Sequence, residues 1–169
     1  MRTLITAAVT AAAITGCSAP TATPATQSCT AQVTQWASHG GAATLGAFTR
    51  DMARYSAAAT KFAAANSGTG PVPAGDVTAV TVTAAALIAD ARAVQADPIP
   101  GCAASARTEL NTAAGAYQRG ASDITAGMAA YTAGHTAAAT ASITAGDVAF
   151  TAADDAITAA SASIRQTGS

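Results

Sequence analysis

Apolar residues recur in steps of three, four or seven in four stretches of the chain, and this spacing constrains the fold more than any other feature. Such steps keep side chains on one face of an α-helix, so each stretch predicts an amphipathic helix. The positions are Leu45, Phe48, Met52, Tyr55, Ala59 and Phe62; Val77, Val80, Ala84, Leu87, Ala91 and Val94; Ala106, Leu110, Ala113, Tyr117, Ala121, Ile124, Met128 and Tyr131; and Ile143, Phe150, Ile157 and Ile164.

Proline and glycine separate these stretches and indicate how they connect. The breaks fall at Pro71 and Pro73, at Pro98 and Pro100, and at Gly134. Short connections favour antiparallel neighbours, so we expect an all-α, up-down-up-down four-helix bundle over residues 29–166. Gly40-Gly41 should kink the first helix, and Asp76 is expected to cap the second.

Alanine dominates the apolar content and limits the core. Hydrophobic residues make up 50% of the 169-residue chain, but aromatic residues only 4%. Alanine favours helices and buries little area, so stability should depend on close helix packing. In the fourth helix Gly146, Ala153 and Ala160 follow large residues by three positions. These small residues favour a tight core over a cavity.

The first residues resemble a bacterial export signal. Arg2 precedes an uncharged stretch, Thr3 to Ile14, that is too short to span a bilayer and is typical of a signal peptide. It ends in Ile14-Thr15-Gly16-Cys17, which resembles the lipobox of bacterial lipoproteins. The resemblance implies a signal peptide over residues 1–16, a lipid on Cys17, and a location on the outer face of the cytoplasmic membrane. Residues 17–28, rich in Ser, Thr and Pro, are expected to form a flexible tether.

Cysteine parity agrees with a lipid on Cys17. The remaining cysteines, Cys29 and Cys102, should form a disulfide in an oxidising compartment. In the expected bundle the first and third helices start at the same end, where these cysteines lie. The first stretch is longer than the second helix, so either the chain folds back at Gly40-Gly41 or the linker from Asp97 to Gly101 extends to reach Cys29. The sequence leaves both open.

The overall layout resembles small, uncharacterised lipoproteins of high-GC Gram-positive bacteria. The shared features are a Ser/Thr/Pro tether, an early cysteine with a tryptophan seven residues later, and a second cysteine after a Pro-rich turn. Here these are Cys29, Trp36 and Cys102. The resemblance implies no known activity.

The chain carries none of the motifs of catalysis, cofactor binding or metal binding that we sought. Its net charge of −1 argues against nucleic acid as a partner. His39 and His135 are interpreted as loop or cap residues, and Asp147 and Asp154 as edge residues facing water or the arginines Arg107 and Arg119. The tyrosines are interpreted as core residues, and for Trp36 the sequence allows either packing or a place in a ligand pocket. We expect no enzyme, no cofactor and no metal.

The leading functional hypothesis is therefore a non-enzymatic surface lipoprotein that binds an unidentified protein or another envelope component. The alternative is a bundle that carries or senses a small apolar ligand or lipid. The loop at Thr69, Pro71, Val72 and Pro73 would lie at the end of the bundle far from the membrane, so it is the candidate recognition loop. Its simpler interpretation is a hairpin connector.

Overall fold

The computed structural model describes residues 27–68 and 71–167, and the regular structure of these residues is entirely helical. The helices are α1 (Cys29–Trp36), α2 (Ala42–Asn66), α3 (Ala74–Ala96), α4 (Ala104–Thr132) and α5 (Thr136–Thr167). The all-α class is confirmed for this part of the chain. The expected signal peptide, Cys17 and residues 18–26 of the expected tether lie outside the described residues.

Helices α2 to α5 form the expected antiparallel four-helix bundle. Each packs against the next in chain order, so that α3 lies between α2 and α4, and α4 lies between α3 and α5. Aromatic rings connect α2 across the bundle: Phe48 meets Tyr117 of α4, and Tyr55 meets Phe150 of α5. The short helix α1 precedes the bundle as the first arm of a kinked helix.

The kink lies where the glycine pair predicts it, in a wide turn over Ala37–Gly41. Gly40 has φ +127°, a conformation that side chains strongly disfavour, and the backbone of His39 also leaves the α-helical region. Gly41 is needed for a different reason, because a Cβ atom there would lie 2.2 Å from Cε2 of the Trp36 ring. The first glycine supplies the bend and the second makes room for the tryptophan.

A disulfide connects the start of α1 to the turn before α4. Cys29 and Cys102 are 73 positions apart in sequence, and their Cα atoms are 5.6 Å apart. Trp36 adds a second contact at this end, because its Nε1 donates a hydrogen bond to Oδ1 of Asp97 at 2.5 Å. Helix α1 is thus held against the α3–α4 connection, where Ile99 is buried.

The core follows the apolar stripes of the sequence. On α3 the buried positions are Val80, Ala84, Leu87, Ala91 and Val94. On α4 every predicted stripe residue is buried except Tyr131, which is half-buried. On α2 the largest side chains alternate between half-buried and buried, as with Met52 and Tyr55, and on α5 Phe150 is buried while the predicted isoleucines are half-buried. The spacing therefore predicted the inward faces correctly.

Helix α3 is also the most apolar of the described helices. Among them it alone is long and apolar enough to cross a membrane by length and composition, with a mean hydropathy of 1.5. Its inward face packs in the core, and Leu87 and Ala84 are fully buried. Its outward face carries Val82, which is 61% exposed. Core packing accounts for the apolar character of the inward face.

The first turn of α3 corrects one expectation. Asp76 does not cap the helix, because α3 begins at Ala74 with Pro73 in the cap position. Asp76 lies in the first turn and is 5% exposed, and its Oδ1 is 2.7 Å from Nζ of Lys61 on α2. A first-turn carboxylate also interacts favourably with the helix dipole. A partner on the neighbouring helix thus replaces the capping role that the local sequence indicated.

Candidate functional site

Part of the predicted recognition loop packs against the core. Pro71 and Pro73 are exposed, whereas Val72 is half-buried and packs against core residues. Thr69 lies outside the described residues. Val72 holds the α2–α3 connection against the core. The described part of this loop therefore serves as a connection between the two helices.

A cleft lies between α2 and α5, and we call it the α2–α5 cleft. Its volume is about 660 Å³. Its apolar lining is formed mainly by Phe62, Val80, Ile124, Met128, Ile143 and Phe150, which come from four helices. A volume of this size is within the range of sites for small molecules.

The cleft exists because bulky side chains separate α2 from α5. Tyr55 of α2 and Phe150 of α5 meet edge to face with ring centroids 5.1 Å apart. The sequence favoured a tight core at all seams, and for this pair of helices that expectation is wrong. Alanine and glycine do not dominate this seam, so the helix backbones stay apart.

Two carboxylates line the cleft. Asp147 and Asp154 are seven residues apart on α5 and therefore lie on the same face of the helix. The described ion pairs join Arg54 to Asp51 and Lys61 to Asp76, so neither cleft aspartate is paired with Arg107 or Arg119. Both aspartates are exposed to solvent, which agrees with their interpretation as edge residues facing water, and both also line the cleft. The Arg54–Asp51 surface pair agrees with the helical spacing of its residues.

Each cleft carboxylate is coupled to a tyrosine of the core. Asp154 accepts a hydrogen bond from the hydroxyl of Tyr117. Burial raises the pKa of Tyr117, and the hydrogen bond to Asp154 and its charge raise it further. Burial also raises the pKa of Tyr55, with a further contribution from the charge of Asp147. Both tyrosines therefore stay protonated at neutral pH.

Asp147 is the carboxylate whose ionised form is less favoured. Partial removal from water raises its pKa above the ordinary value. No lysine, arginine or histidine is among the residues that line the cleft. The cleft therefore combines an apolar lining with uncompensated negative charge.

A second carboxylate pair lies outside the cleft, between α2 and α3. Burial raises the pKa of Asp90, and the charge of Asp51 and a hydrogen bond to it raise it further, while Arg50 partly offsets the shift. Oδ2 of Asp90 is buried and makes no hydrogen bond to any described residue. Asp90 lies 39 positions after Asp51 in another helix, so spacing along a single helix does not reveal this pair.

A shallower groove lies beside the kink and has a volume of about 770 Å³. It is lined by Trp36, Gln32, Gln35, His39 and Asp97, among others. The Trp36 ring packs over Gly41, and its Nε1 donates a hydrogen bond to Asp97. Both contacts stabilise the kink. This accounts for the tryptophan that the heptad pattern left unassigned.

The histidines take no part in the α2–α5 cleft. His39 lies in the kink, with Nδ1 2.8 Å from the backbone oxygen of Gln35, and His135 follows the turn at Gly134. Within residues 27–68 and 71–167, no three His, Cys, Asp or Glu side chains are grouped so as to hold a metal ion.

The cleft was missed at the sequence level although part of its signal is visible there. Asp147 and Asp154 flank Phe150 on one helix face, which is unusual for a stripe that only packs in a core. The spacing does not show which helix packs opposite that face of α5. Only the packed bundle places Tyr55 and Phe62 of α2 opposite it.

The chain matches no family model, and no curated protein or solved structure is significantly similar to it.

Proposed function

We propose that this protein is a non-enzymatic, surface-anchored lipoprotein whose helical bundle binds a small apolar ligand in the α2–α5 cleft. The observation that carries the proposal is the cleft itself, about 660 Å³ in volume and lined mainly by aromatic and aliphatic side chains. Small-molecule sites combine such linings with a few polar groups that orient the ligand. Here Asp147 and Asp154 supply those groups.

The anchor is supported by the first seventeen residues. The lipobox resemblance at Ile14 to Cys17 implies a lipid that holds the domain on the outer face of the cytoplasmic membrane. A single acyl chain gives only marginal binding to membranes, but the diacylglycerol implied by the resemblance supplies two. We therefore expect Cys17→Ala to release the protein from the membrane fraction. Retention of the variant after a carbonate wash would contradict the anchor.

A cleft-bound ligand is better supported than a partner protein at the loop. The described loop residues offer Pro71 and Pro73 as exposed side chains, whereas Val72 packs inward. The cleft offers a concave apolar surface. Binding of a protein or envelope component through the loop remains the competing hypothesis, and it predicts no effect of changes in the cleft.

The test of the cleft uses the full chain with Cys17→Ala, so that the described residues are unchanged and no lipid competes for apolar probes. We expect an uncharged fluorescent apolar dye such as Nile red to bind this protein in its native state. Ala63→Phe should weaken dye binding about tenfold or more, because Ala63 lines the cleft and a phenyl group fills it.

The matched control is Ala53→Phe. Ala53 is exposed on the same helix and does not line the cleft, so dye binding should be unchanged. Equal weakening by both variants, or no dye binding by the parent chain, would contradict the proposed function. Circular dichroism of each variant checks that the helices are retained.

A further inference from the structure

We propose that the α2–α5 cleft selects cationic amphiphiles, in which an apolar chain carries an ammonium head group. The inference rests on the proposed function and names the ligand class for the same site. It is carried by the position of two carboxylates and several aromatic rings in one apolar cleft that has no basic lining residue.

Charge complementarity is the first argument. Asp147 and Asp154 are the charged residues of the lining, and neither forms an ion pair with a described residue. An anionic head group would face two like charges, and a neutral one would leave both uncompensated. Of the three classes only a cation is attracted by both carboxylates, and because Asp147 and Asp154 are exposed this attraction is screened by salt.

The state of Asp147 supports the same choice. Neighbouring atoms raise the pKa of Asp147 although its side chain is exposed to solvent, and no lysine, arginine or histidine lines the cleft beside it. An ammonium group beside Asp147 would supply the missing counter-charge. The same group would lower the pKa of Asp147 and keep it ionised in the complex.

Aromatic rings near the carboxylates provide the second argument. Tyr55 and Phe150 meet edge to face and both line the cleft together with Asp147. Ammonium groups are attracted to ring faces, and sites for quaternary ammonium ligands commonly combine rings with acidic groups. The Tyr55 hydroxyl is uncharged at neutral pH, as tyrosine ordinarily is, so its ring adds no charge of its own.

The geometry also orients the ligand. The helices are antiparallel, so the end of α2 near Asn66 lies opposite the start of α5 near Thr140. From Tyr55 to Asn66 the cleft extends about 16 Å at the helical rise per residue. The carboxylates lie at the Tyr55 end, while Phe62 and Met128 line the cleft towards the other end. An extended alkyl chain thus fits with its head beside Asp147 and its tail beside Phe62.

The experiment compares three probes with the same dodecyl chain on the full chain carrying Cys17→Ala. The probes are dodecyltrimethylammonium, dodecyl maltoside and dodecanoate, each titrated calorimetrically below its micelle concentration at neutral pH and low salt. We expect the cation to bind about tenfold tighter than the neutral probe and the anion to bind weakest. Added salt should reduce the advantage of the cation.

Two variants locate the effect. Asp147→Asn should reduce the preference for the cation over the neutral probe about fivefold, while binding of the neutral probe stays unchanged. Asp147→Glu should retain the preference. The matched control is Asp155→Asn, because Asp147 and Asp155 are both exposed on α5 but only Asp147 lines the cleft. It should leave the preference nearly unchanged.

The outcomes separate this inference from the proposed function. Equal binding of all three probes, with loss on Ala63→Phe, would overturn the cationic selectivity and leave the apolar site standing. Binding of none of the probes would overturn both. A preference reduced equally by Asp147→Asn and Asp155→Asn would also overturn the inference, because the effect would then come from the overall charge of α5.

Discussion

Helix α5 meets two neighbours in opposite ways. Against α4 it packs with almost no space between the backbones, because Gly120 and Gly127 of α4 and Gly146 of α5 lie in the interface. A Cβ atom at Gly120 would be 2.7 Å from Cδ1 of Phe150, and one at Gly146 would be 2.9 Å from Cδ1 of Ile124. The large side chains of one helix occupy the space that the glycines of the other leave free.

Against α2 the same helix stays apart and leaves a cleft. Here Phe150 meets Tyr55, and the half-buried Ile143 and Met52 line open space. Two aromatic rings need several ångströms between the helix axes, whereas a glycine facing an aliphatic residue does not. Phe150 takes part in both contacts, and the residue opposite it decides the spacing. The size of the facing residue, more than the apolar content of the stripe, therefore determines where this bundle is solid and where it is open.

The largest expected effect comes from a feature that belongs to neither side of α5. Reducing the Cys29–Cys102 disulfide should lower the free energy of unfolding by about 4 kcal/mol, because the unfolded chain regains the entropy of a long loop. Calorimetry with and without reductant measures this. The melting temperature should fall while dye binding in the cleft persists below it, since the disulfide is at the α1–α4 end.

Mass spectrometry of an unreduced digest provides the control for that prediction. It should show one linked peptide pair containing Cys29 and Cys102. Free, alkylatable thiols at both positions would contradict the prediction that the exported protein is oxidised.

Replacing the glycines between α4 and α5 with larger residues should lower the free energy of unfolding. Gly120→Leu should destabilise the protein by about 3 kcal/mol, because the new side chain meets the Phe150 ring and the Gly146 backbone. Chemical denaturation measures the change. Gly115→Leu in the same helix is the control, since a Cβ atom there has no heavy atom closer than 3.7 Å. Equal losses at both positions would remove the steric basis of the comparison.

The hydrogen bond from Tyr117 of α4 to Asp154 of α5 lies between the tightly packed side of α5 and the cleft. Tyr117→Phe should cost about 1.5 kcal/mol, because it removes a hydrogen bond to a charged acceptor and keeps the ring contacts. Tyr131→Phe is the matched control, since its hydroxyl makes no hydrogen bond to another described residue. A stability loss no larger for Tyr117→Phe than for Tyr131→Phe would show that this bond contributes nothing across the α4–α5 seam.

The smallest effect concerns the α2–α3 side, where a carboxylate pair replaces rings and glycines. Asp90→Asn should stabilise the protein by less than about 1 kcal/mol at neutral pH, because it removes a charge beside Asp51 that solvent screens in part. The folded-state pKa of Asp90 is raised, so the native state holds its proton more tightly than the unfolded chain. Wild-type stability should therefore rise as pH falls through that raised pKa, and the advantage of the variant should disappear in acid.

Melting curves at several pH values test this prediction, with Asp155→Asn as the exposed control. A variant whose advantage persists unchanged in acid would contradict the assignment of the cost to ionised Asp90.

Much of the fold was predictable because it depends on neighbours in the sequence. Apolar spacing identified the inward faces of the helices, and proline and glycine identified their ends, since both signals act within one or two turns. The kink is local in the same sense, because Gly40 alone supplies its positive φ. Cysteine parity and the antiparallel order of the helices together indicated which thiols meet.

The candidate site was decided only by the tertiary structure. The sequence placed Asp147 and Asp154 on one face of a helix, but it could not show that Tyr55 stands opposite that face, some ninety positions earlier. The sequence predicted that Asp76 caps its own helix, whereas in the folded chain its carboxylate forms an ion pair with Lys61 of α2. Helix spacing, charge pairing and cavities depend on which side chains face each other across the bundle. Periodicity predicts which face of its helix a side chain lies on. It does not predict which residues of other helices that side chain will contact.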